Sequence, residues 1–168
     1  MYEESMRTPL IMRLPEGFDK RGDIPQLVQN IDYAPTFLEL AGVSVPSDIQ
    51  GVSLLPLLKG ESPADWRTSL YYHFYEYPAE HMVKRHYGVR TDRYKYIRYH
   101  GVWDTNEFYD LQEDPYETRN LIAAPQHQAL IKELNHDLYN WLESTDGMSI
   151  PLKRTERPHM DHRNQSNY

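Results

Sequence analysis

The sequence predicts an α+β fold in which a small antiparallel sheet of four strands packs on a long C-terminal helix. Four short segments with the alternation and aromatic content of strands follow one another between residues 69 and 111. A segment with helical periodicity comes directly after them. A sheet with one apolar face buries that face against a helix, so these elements form a two-layer unit. Residues before about 65 are typical of the end of a different, larger layer.

The strands are separated by short turns. Asp92 and Arg93 join the second and third strands as a hairpin, and Glu113-Asp114-Pro115 ends the fourth. Tyrosines of the first strand either face the core or form a platform for a sugar ring. The four predicted strands are Ser69–Tyr77, His86–Thr91, Tyr94–Tyr99 and Glu107–Leu111.

The C-terminal helix is predicted from Gln126 to about Ser144. Its apolar stripe consists of Leu130, Leu134, Leu138 and Trp141, spaced by four, four and three residues. Asp146 and Gly147 end the helix. Residues 149–168 contain almost nothing to bury, so we expect a mobile tail.

The N-terminal region predicts three further elements. Leu10–Leu14 has the character of a buried strand. Tyr33–Ala41 is a predicted helix with Asp32 as N-cap, Gly42 just past its end, and an apolar face of Phe37, Leu38 and Ala41. Leu54–Leu58 predicts one further helical turn.

Composition excludes several classes of function. The net charge is −7, so a nucleic-acid-binding protein is not expected. The chain has no cysteine, which rules out disulfides and thiolate metal sites. No apolar run approaches the roughly 20 residues of a membrane span, and residues 1–15 do not match a signal peptide. We therefore expect no membrane partner.

Three stretches carry short motifs in a fixed order. They are Met1-Tyr2-Glu3-Glu4-Ser5 with Arg7-Thr8-Pro9-Leu10-Ile11; Asp32-Tyr33-Ala34-Pro35-Thr36 through Leu40-Ala41-Gly42, with Gln50-Gly51-Val52-Ser53-Leu54-Leu55-Pro56-Leu57-Leu58; and Gly88-Val89-Arg90-Thr91-Asp92-Arg93-Tyr94-Lys95-Tyr96-Ile97 with Phe108-Tyr109-Asp110-Leu111, Asp114-Pro115-Tyr116-Glu117 and Asn120-Leu121. In this order they resemble the formylglycine-dependent sulfatases of the alkaline-phosphatase superfamily, over roughly residues 1–145. The Tyr71–Arg90 block is similar to bacterial glycan sulfatases, including mucin-desulfating and N-acetylglucosamine-6-sulfatase types.

The resemblance implies a division of the chain. Residues 1–65 would be the terminal portion of an alkaline-phosphatase-like α/β catalytic domain, and residues 66–148 the sulfatase C-terminal subdomain. The partner of this chain would then be the N-terminal catalytic portion. The intact parent would be periplasmic or secreted.

The resemblance also implies which chemistry is absent. These sulfatases use a formylglycine made from Cys or Ser in Cys/Ser-x-Pro-x-Arg, together with calcium. Ser44-Val45-Pro46-Ser47-Asp48 carries the Ser-x-Pro part but has Asp48 where the arginine is needed. Neither Asp110 with Asp114 nor His159-Met160-Asp161-His162 forms a convincing metal site. We therefore assign no catalytic residue, metal ligand or cofactor to this chain, and expect calcium and formylglycine in the intact parent.

The candidates for substrate binding are His81, Lys84 and His86. They follow the tyrosine-rich strand, and cations and imidazoles beside aromatic rings suit a sulfated saccharide. Segment 81–98 carries six basic residues and one acid, whereas 104–117 carries six acids and no base. The alternative interpretation is therefore charge pairing across strands on a solvated face.

Two functions remain open at this stage. One is a C-terminal fragment of a sulfatase whose intact parent hydrolyses sulfate esters of glycans, with the fragment itself inactive. The other is a stand-alone module that keeps the sulfatase C-terminal fold and binds sulfated glycan or a protein.

Overall fold

The computed structural model describes residues 1–16, 18, 22–74, 83–99 and 105–148. Within these residues the chain forms four α-helices and four β-strands, with single 3₁₀ turns before the second and the last helix. The helices are α1 (Glu3–Met6), α2 (Tyr33–Leu40), α3 (Leu55–Leu58) and α4 (Gln128–Ser144), and the strands are β1 (Ser69–Phe74), β2 (His86–Thr91), β3 (Tyr94–Tyr99) and β4 (Glu107–Asp110).

The four strands form one antiparallel sheet in the order β1-β2-β3-β4. The predicted β2–β3 hairpin is confirmed residue for residue. Thr91 closes its turn, because the Thr91 hydroxyl oxygen accepts a hydrogen bond of 2.9 Å from the backbone N–H of Tyr94. The fourth strand ends one residue earlier than predicted. Residues 75–77 of the predicted first strand lie outside the described residues.

Helix α4 covers one face of the sheet and forms the main core, as the sequence predicts. Leu134 and Leu138 of the predicted stripe are buried. Leu130 and Trp141 lie at the core edge instead, where Trp141 stacks on Tyr71 at 5.0 Å between ring centroids. Ile131 and Leu142 take the central positions. The predicted and the observed sets of apolar residues both follow a spacing of three and four residues. Periodicity alone therefore does not decide between two neighbouring positions at each end of the stripe. The core consists of Tyr87, Val89, Tyr96, Phe108, Ile131, Leu134, Leu138 and Leu142.

The opposite face of the sheet is covered by the first residues of the chain. Gly88 leaves room for the Met1 side chain, since a Cβ atom there would lie 2.5 Å from the Met1 sulfur. The Nζ of Lys95 lies 2.7 Å from the Met1 carbonyl oxygen and 2.8 Å from a carboxylate oxygen of Glu3. Segment 1–3 is therefore bound to the sheet by packing and by charge.

Lys95 lies at the centre of a buried charged cluster. Its side chain is 0% exposed, and Nζ also lies 2.6 Å from a carboxylate oxygen of Glu117. The second Glu117 oxygen accepts a hydrogen bond of 2.6 Å from the backbone N–H of Glu3, whose carboxylate pairs with Arg90. Glu117 adopts φ 53°, a conformation that costs free energy in a non-glycine residue. The contacts of the Glu117 side chain with Lys95 and Glu3 therefore outweigh the free-energy cost of its backbone conformation.

The expectation of charge pairing on a solvated face is correct in part for one pair and wrong for Lys95. Arg93, in the turn before β3, pairs with Asp110 of β4 at 2.7 Å, and the Arg93 side chain is 44% exposed whereas that of Asp110 is 6% exposed. The Lys95 cluster is buried because segment 1–3 lies over it. Alternation along the strand predicts the face of Lys95 but not what covers that face.

Helix α2 confirms the predicted element but changes two details. Asp32 does not cap the helix with its side chain. Its carboxylate binds Arg67 through two contacts of 2.5 and 2.7 Å and accepts backbone N–H groups of Gln29 and Val52. Asp32 thus joins three distant segments. The predicted apolar face of α2 is also wrong in part, because Phe37 is 63% exposed while Pro35 and Thr36 are buried.

The predicted strand Leu10–Leu14 is wrong. The segment has no regular secondary structure, and Ile11 is 92% exposed. A strand needs a neighbouring strand to pair its backbone groups, and within the described residues no strand pairs with this segment. An apolar run ended by proline and glycine therefore does not by itself predict a strand.

The end of α4 agrees with the sequence. Asp146 adopts φ 56°, and the backbone N–H of Gly147 donates a hydrogen bond of 2.7 Å to the Leu142 carbonyl. The predicted tail of residues 149–168 lies outside the described residues, and the predicted boundary near residue 65 stays a prediction.

We predict that K95M lowers the free energy of unfolding by about 3–5 kcal/mol, because it leaves buried carboxylates without their cation. The double variant K95M/E117Q should recover part of this loss, since it also removes one buried negative charge. Urea unfolding followed by circular dichroism measures both. K132M, on the exposed side of α4, is the control and should change stability by less than about 0.5 kcal/mol. A loss no larger than that of the control would contradict the role of the cluster.

Candidate functional site

The structure describes two of the three predicted binding residues. Lys84 is exposed, just before β2, whereas His86 is the first residue of β2 and is buried. His81 lies outside the described residues. The proposed contact of these residues with a substrate stays a prediction.

Lys84 lies at a cleft of about 420 Å³ on the side of the sheet that segment 1–3 covers. The cleft is shallow and largely open to solvent, and its lining is partly polar and partly apolar. Tyr99 and Glu107 contribute from β3 and β4, so the strands position two of its walls. The described residues that line the cleft are Val83, Lys84, Tyr99, Thr105, Glu107 and Asn120.

The Glu107 carboxylate is held by three tyrosine hydroxyls. Tyr99 donates a hydrogen bond of 3.0 Å to one oxygen, Tyr109 donates one of 3.0 Å to the other, and Tyr2 donates to both at 3.1–3.2 Å. Burial raises the pKa of Tyr99 and of Tyr109, and the neighbouring Glu107 carboxylate raises both pKa values further. The phenols therefore stay protonated and remain donors at neutral pH. Tyr2 thereby links segment 1–3 to this wall of the cleft.

Asn120 fixes another part of the cleft. Its side-chain oxygen accepts hydrogen bonds of 3.0 Å from the backbone N–H groups of Phe108 and Ile122. Its amide nitrogen donates to the Asn106 carbonyl at 3.1 Å. The side chain is held at both ends, so this rim of the cleft is preorganised.

His86 does not line the cleft but packs against Tyr99, one of its walls. Its ring lies 5.6 Å from the rings of Phe74 and Tyr99 and 5.8 Å from that of Tyr72, measured between centroids. Its Nδ1 lies 2.7 Å from the Lys84 carbonyl oxygen, and its Nε2 lies 3.4 Å from the Met1 nitrogen. Burial lowers the pKa of His86, which outweighs the opposite effect of the hydrogen bond to Lys84. The ring is therefore neutral at neutral pH.

The tyrosines of β1 divide between the two faces of the sheet. Tyr71 packs on Trp141 at the edge of the α4 core, whereas Tyr72 faces His86 on the other side. The described part of β1 thus agrees with the core-facing alternative for Tyr71. Residues 75–77 lie outside the described residues.

The acidic groups of the described residues do not fit calcium. Asp110 is bound to Arg93, and Asp114 accepts hydrogen bonds from the Thr118 hydroxyl and the Arg119 backbone N–H. Within the described ranges, no three His, Asp or Glu side chains come together as metal ligands. The expectation of calcium in the intact parent stays a prediction.

None of the described helices is long and apolar enough to cross a bilayer.

Three residues of the cleft were not predicted as site residues, although Asn120 belongs to one of the motifs that indicate the family. Tyr99, Glu107 and Asn120 come from three separate segments, and only strand alternation with the correct pairing would have brought them together. The sequence also contains a second Ser-x-Pro tripeptide, Ser149-Ile150-Pro151. It has Lys153 where the sulfatase motif has arginine, and it lies outside the described residues.

Comparison with known proteins agrees with the fold and motifs. The family model described as N-sulphoglucosamine sulphohydrolase, C-terminal, matches residues 1–144. The chain belongs to this family of sulfatase C-terminal domains. The resemblance predicted from the three motifs is confirmed, and so is the α+β class.

Two curated relatives of this sulfatase domain come from Bacteroides thetaiotaomicron. An N-acetylglucosamine-6-O-sulfatase is 50% identical over 136 residues, which are 80% of this chain and 24% of the relative. A Delta 4,5-hexuronate-2-O-sulfatase is 32% identical over 136 residues, which are 79% of this chain and 27% of the relative. The domain is therefore homologous to sulfatases that act on sulfated glycans.

Solved structures give the same result. One, in complex with its substrate D-glucosamine-2-N,6-O-disulfate, has a TM-score of 0.66 and 48% identity over 70% of this chain and 24% of its own. A 2-O glycosaminoglycan sulfatase has a TM-score of 0.61 and 30% identity over 68% of this chain and 24% of its own. The sulfatase domain spans about a quarter to a third of the length of the curated relatives that it matches.

We predict that the domain loses stability as the pH falls below about 6.5, the ordinary pKa of histidine. The pKa of His86 is lowered in the folded state, so the unfolded chain takes up the proton first and is stabilised by acid. The contribution of His86 is complete above pH 6.5 and declines as the pH falls toward the folded pKa. Urea midpoints between pH 7.5 and 5 measure this effect.

H86Q should flatten this pH dependence, because glutamine does not titrate. H136Q is the matched control, since His136 is exposed on α4. An unaltered slope in H86Q would contradict the assignment. His73, whose pKa is also lowered by burial, would leave part of the slope in place.

Proposed function

We propose that this chain is the C-terminal part of a sulfatase that hydrolyses sulfate esters of glucosamine-type glycans, and that the chain alone is inactive. The observation that carries the proposal is the 50% identity to an N-acetylglucosamine-6-O-sulfatase, in which the matching residues make up only 24% of the protein. The remaining length would supply the formylglycine and calcium residues. The inactivity follows from the absence of a complete Cys/Ser-x-Pro-x-Arg motif in the chain.

The cleft supports a role in holding the saccharide. Lys84 offers a cation for a sulfate group, and the Tyr99 ring offers a surface for the apolar face of a sugar. The Glu107 carboxylate is already held by three hydroxyls, so it stays in place without a ligand. We propose that His81 and Lys84 lie at the rim of the substrate site of the whole enzyme.

The N-terminal region supports a role for the rest of the sulfatase as a partner. Helix α2 and the segments beside it expose an unusual amount of apolar surface for a water-facing helix. The exposed apolar residues here are Ile31, Tyr33, Phe37, Leu40, Val43, Val45 and Val52. In the proposed parent, this surface packs against the catalytic portion.

One observation favours the alternative of a stand-alone module that binds sulfated glycan. The lining residues come from two strands and three connections of this one chain, so the cleft does not require another polypeptide. Such a module would bind the saccharide without hydrolysing it.

We predict that the purified chain releases no sulfate from 6-O-sulfated N-acetylglucosamine or from an aryl sulfate. The full-length protein that contains the chain should release sulfate from both. Ion chromatography of free sulfate measures the reaction. Turnover by the chain alone would contradict the proposal. Tight calorimetric binding of sulfated saccharide by the chain alone, combined with no turnover by the full-length protein, would favour the module.

We predict that K84Q in the full-length sulfatase raises KM for 6-O-sulfated N-acetylglucosamine about 5- to 10-fold, because a charge-assisted contact with sulfate is lost. K84R keeps the charge and should retain most of the affinity. K132Q, on the helix that covers the opposite face of the sheet, is the control. Equal KM values for K84Q and K132Q would exclude the cleft from substrate binding.

A further inference from the structure

The connection between β1 and β2 starts and ends at one pair of residues. Phe74 is the last residue of β1, His86 is the first of β2, and the two are direct partners across the strands. Their rings are stacked with centroids 5.6 Å apart. His86 therefore lies at the point where the connection between β1 and β2 ends, two residues after the candidate residue Lys84.

The hydrogen bond of His86 determines its protonated nitrogen. The Lys84 carbonyl oxygen can only accept, so Nδ1 at 2.7 Å from it carries the proton. In the neutral ring Nε2 is then an acceptor, and it lies 3.4 Å from the Met1 nitrogen, which donates. Both nitrogens are thus directed at backbone groups of the chain.

The burial of His86 agrees with these contacts. The residue is 3% exposed, and rings of β1 and β3 pack around it. One of these rings belongs to Tyr99, a wall of the cleft. The imidazole thus connects the backbone of Lys84, the cleft wall and segment 1–3 in one packed unit.

We infer that His86 is a positioning residue that holds Lys84 at the cleft through the Lys84 carbonyl, and that it does not itself touch the saccharide. The inference rests on the proposed function, because it assumes that Lys84 contacts the substrate. A buried ring whose two nitrogens are engaged has no donor left for a sugar, whereas a fixed backbone carbonyl restricts where the lysine side chain can reach.

The test uses the full-length sulfatase that contains this chain, with 6-O-sulfated N-acetylglucosamine as substrate. H86F keeps the ring stack but loses both nitrogens, and H86N keeps a donor where Nδ1 lies. We expect H86F to raise KM about 5-fold with kcat changed less than about 2-fold, since one hydrogen bond that orients a binding group is lost. H86N should restore KM to within about 2-fold of wild type.

The double variant K84Q/H86F separates positioning from a general structural effect. If His86 acts through Lys84, H86F adds nothing to the KM of K84Q. Independent, multiplying effects of the two substitutions would overturn the inference. A lower melting temperature with KM unchanged would also overturn it, because this result indicates a structural role alone.

Different results would contradict the binding role of Lys84 and the positioning role of His86. If K84Q itself leaves KM unchanged, the proposed binding role of the cleft fails and the inference fails with it. If K84Q raises KM and H86F does not, only the positioning role of His86 is lost. Should H86F not accumulate as folded protein, H86N and H86Q replace it. H86N keeps KM near wild type, H86Q raises it, and equal KM values for the two would overturn the inference.

Discussion

The ammonium group of Lys95 is completely buried on the face of the sheet that α4 does not cover, and an unpaired charge there would be very costly. Three oxygen atoms surround it, from the Met1 carbonyl, Glu3 and Glu117. Segment 1–3, the sheet and the turn that carries Glu117 are far apart in the sequence, and the contacts of Lys95 hold all three together. The unfavourable φ of Glu117 is a cost that this arrangement offsets.

The candidate site depends on the same arrangement. Segment 1–3 lies over the sheet because Lys95 holds Met1 and Glu3, and Tyr2 between them reaches the Glu107 carboxylate. Tyr99 also donates a hydrogen bond to that carboxylate and forms a wall of the cleft. The buried contact of Lys95 with Met1 and Glu3 thus positions Tyr2 beside the Glu107 carboxylate of the cleft. This connection explains why Tyr2, near the start of the chain, contacts a wall of the cleft that β3 and β4 form.

The two parts of the chain differ in how completely they bury their apolar surface. The sheet and α4 enclose a continuous core, as expected of a unit that folds around its own side chains. Helix α2 is held by the Asp32–Arg67 contact but leaves Phe37 largely exposed. Two relatives of this family are about four times as long as the segment that matches this chain.

The sequence by itself determined the β2–β3 hairpin, the extent of α4 and the short turn α3, because turn residues and apolar periodicity act over a few neighbouring positions. The motifs also indicated the sulfatase family. Only the tertiary structure decided that Lys95 is buried, that Asp32 binds Arg67 instead of capping α2, and that Leu10–Leu14 is not a strand. It likewise brought Lys84, Tyr99 and Glu107 to one cleft. Burial and pairing depend on residues tens of positions away, and local patterns contain no information about which distant segment arrives there.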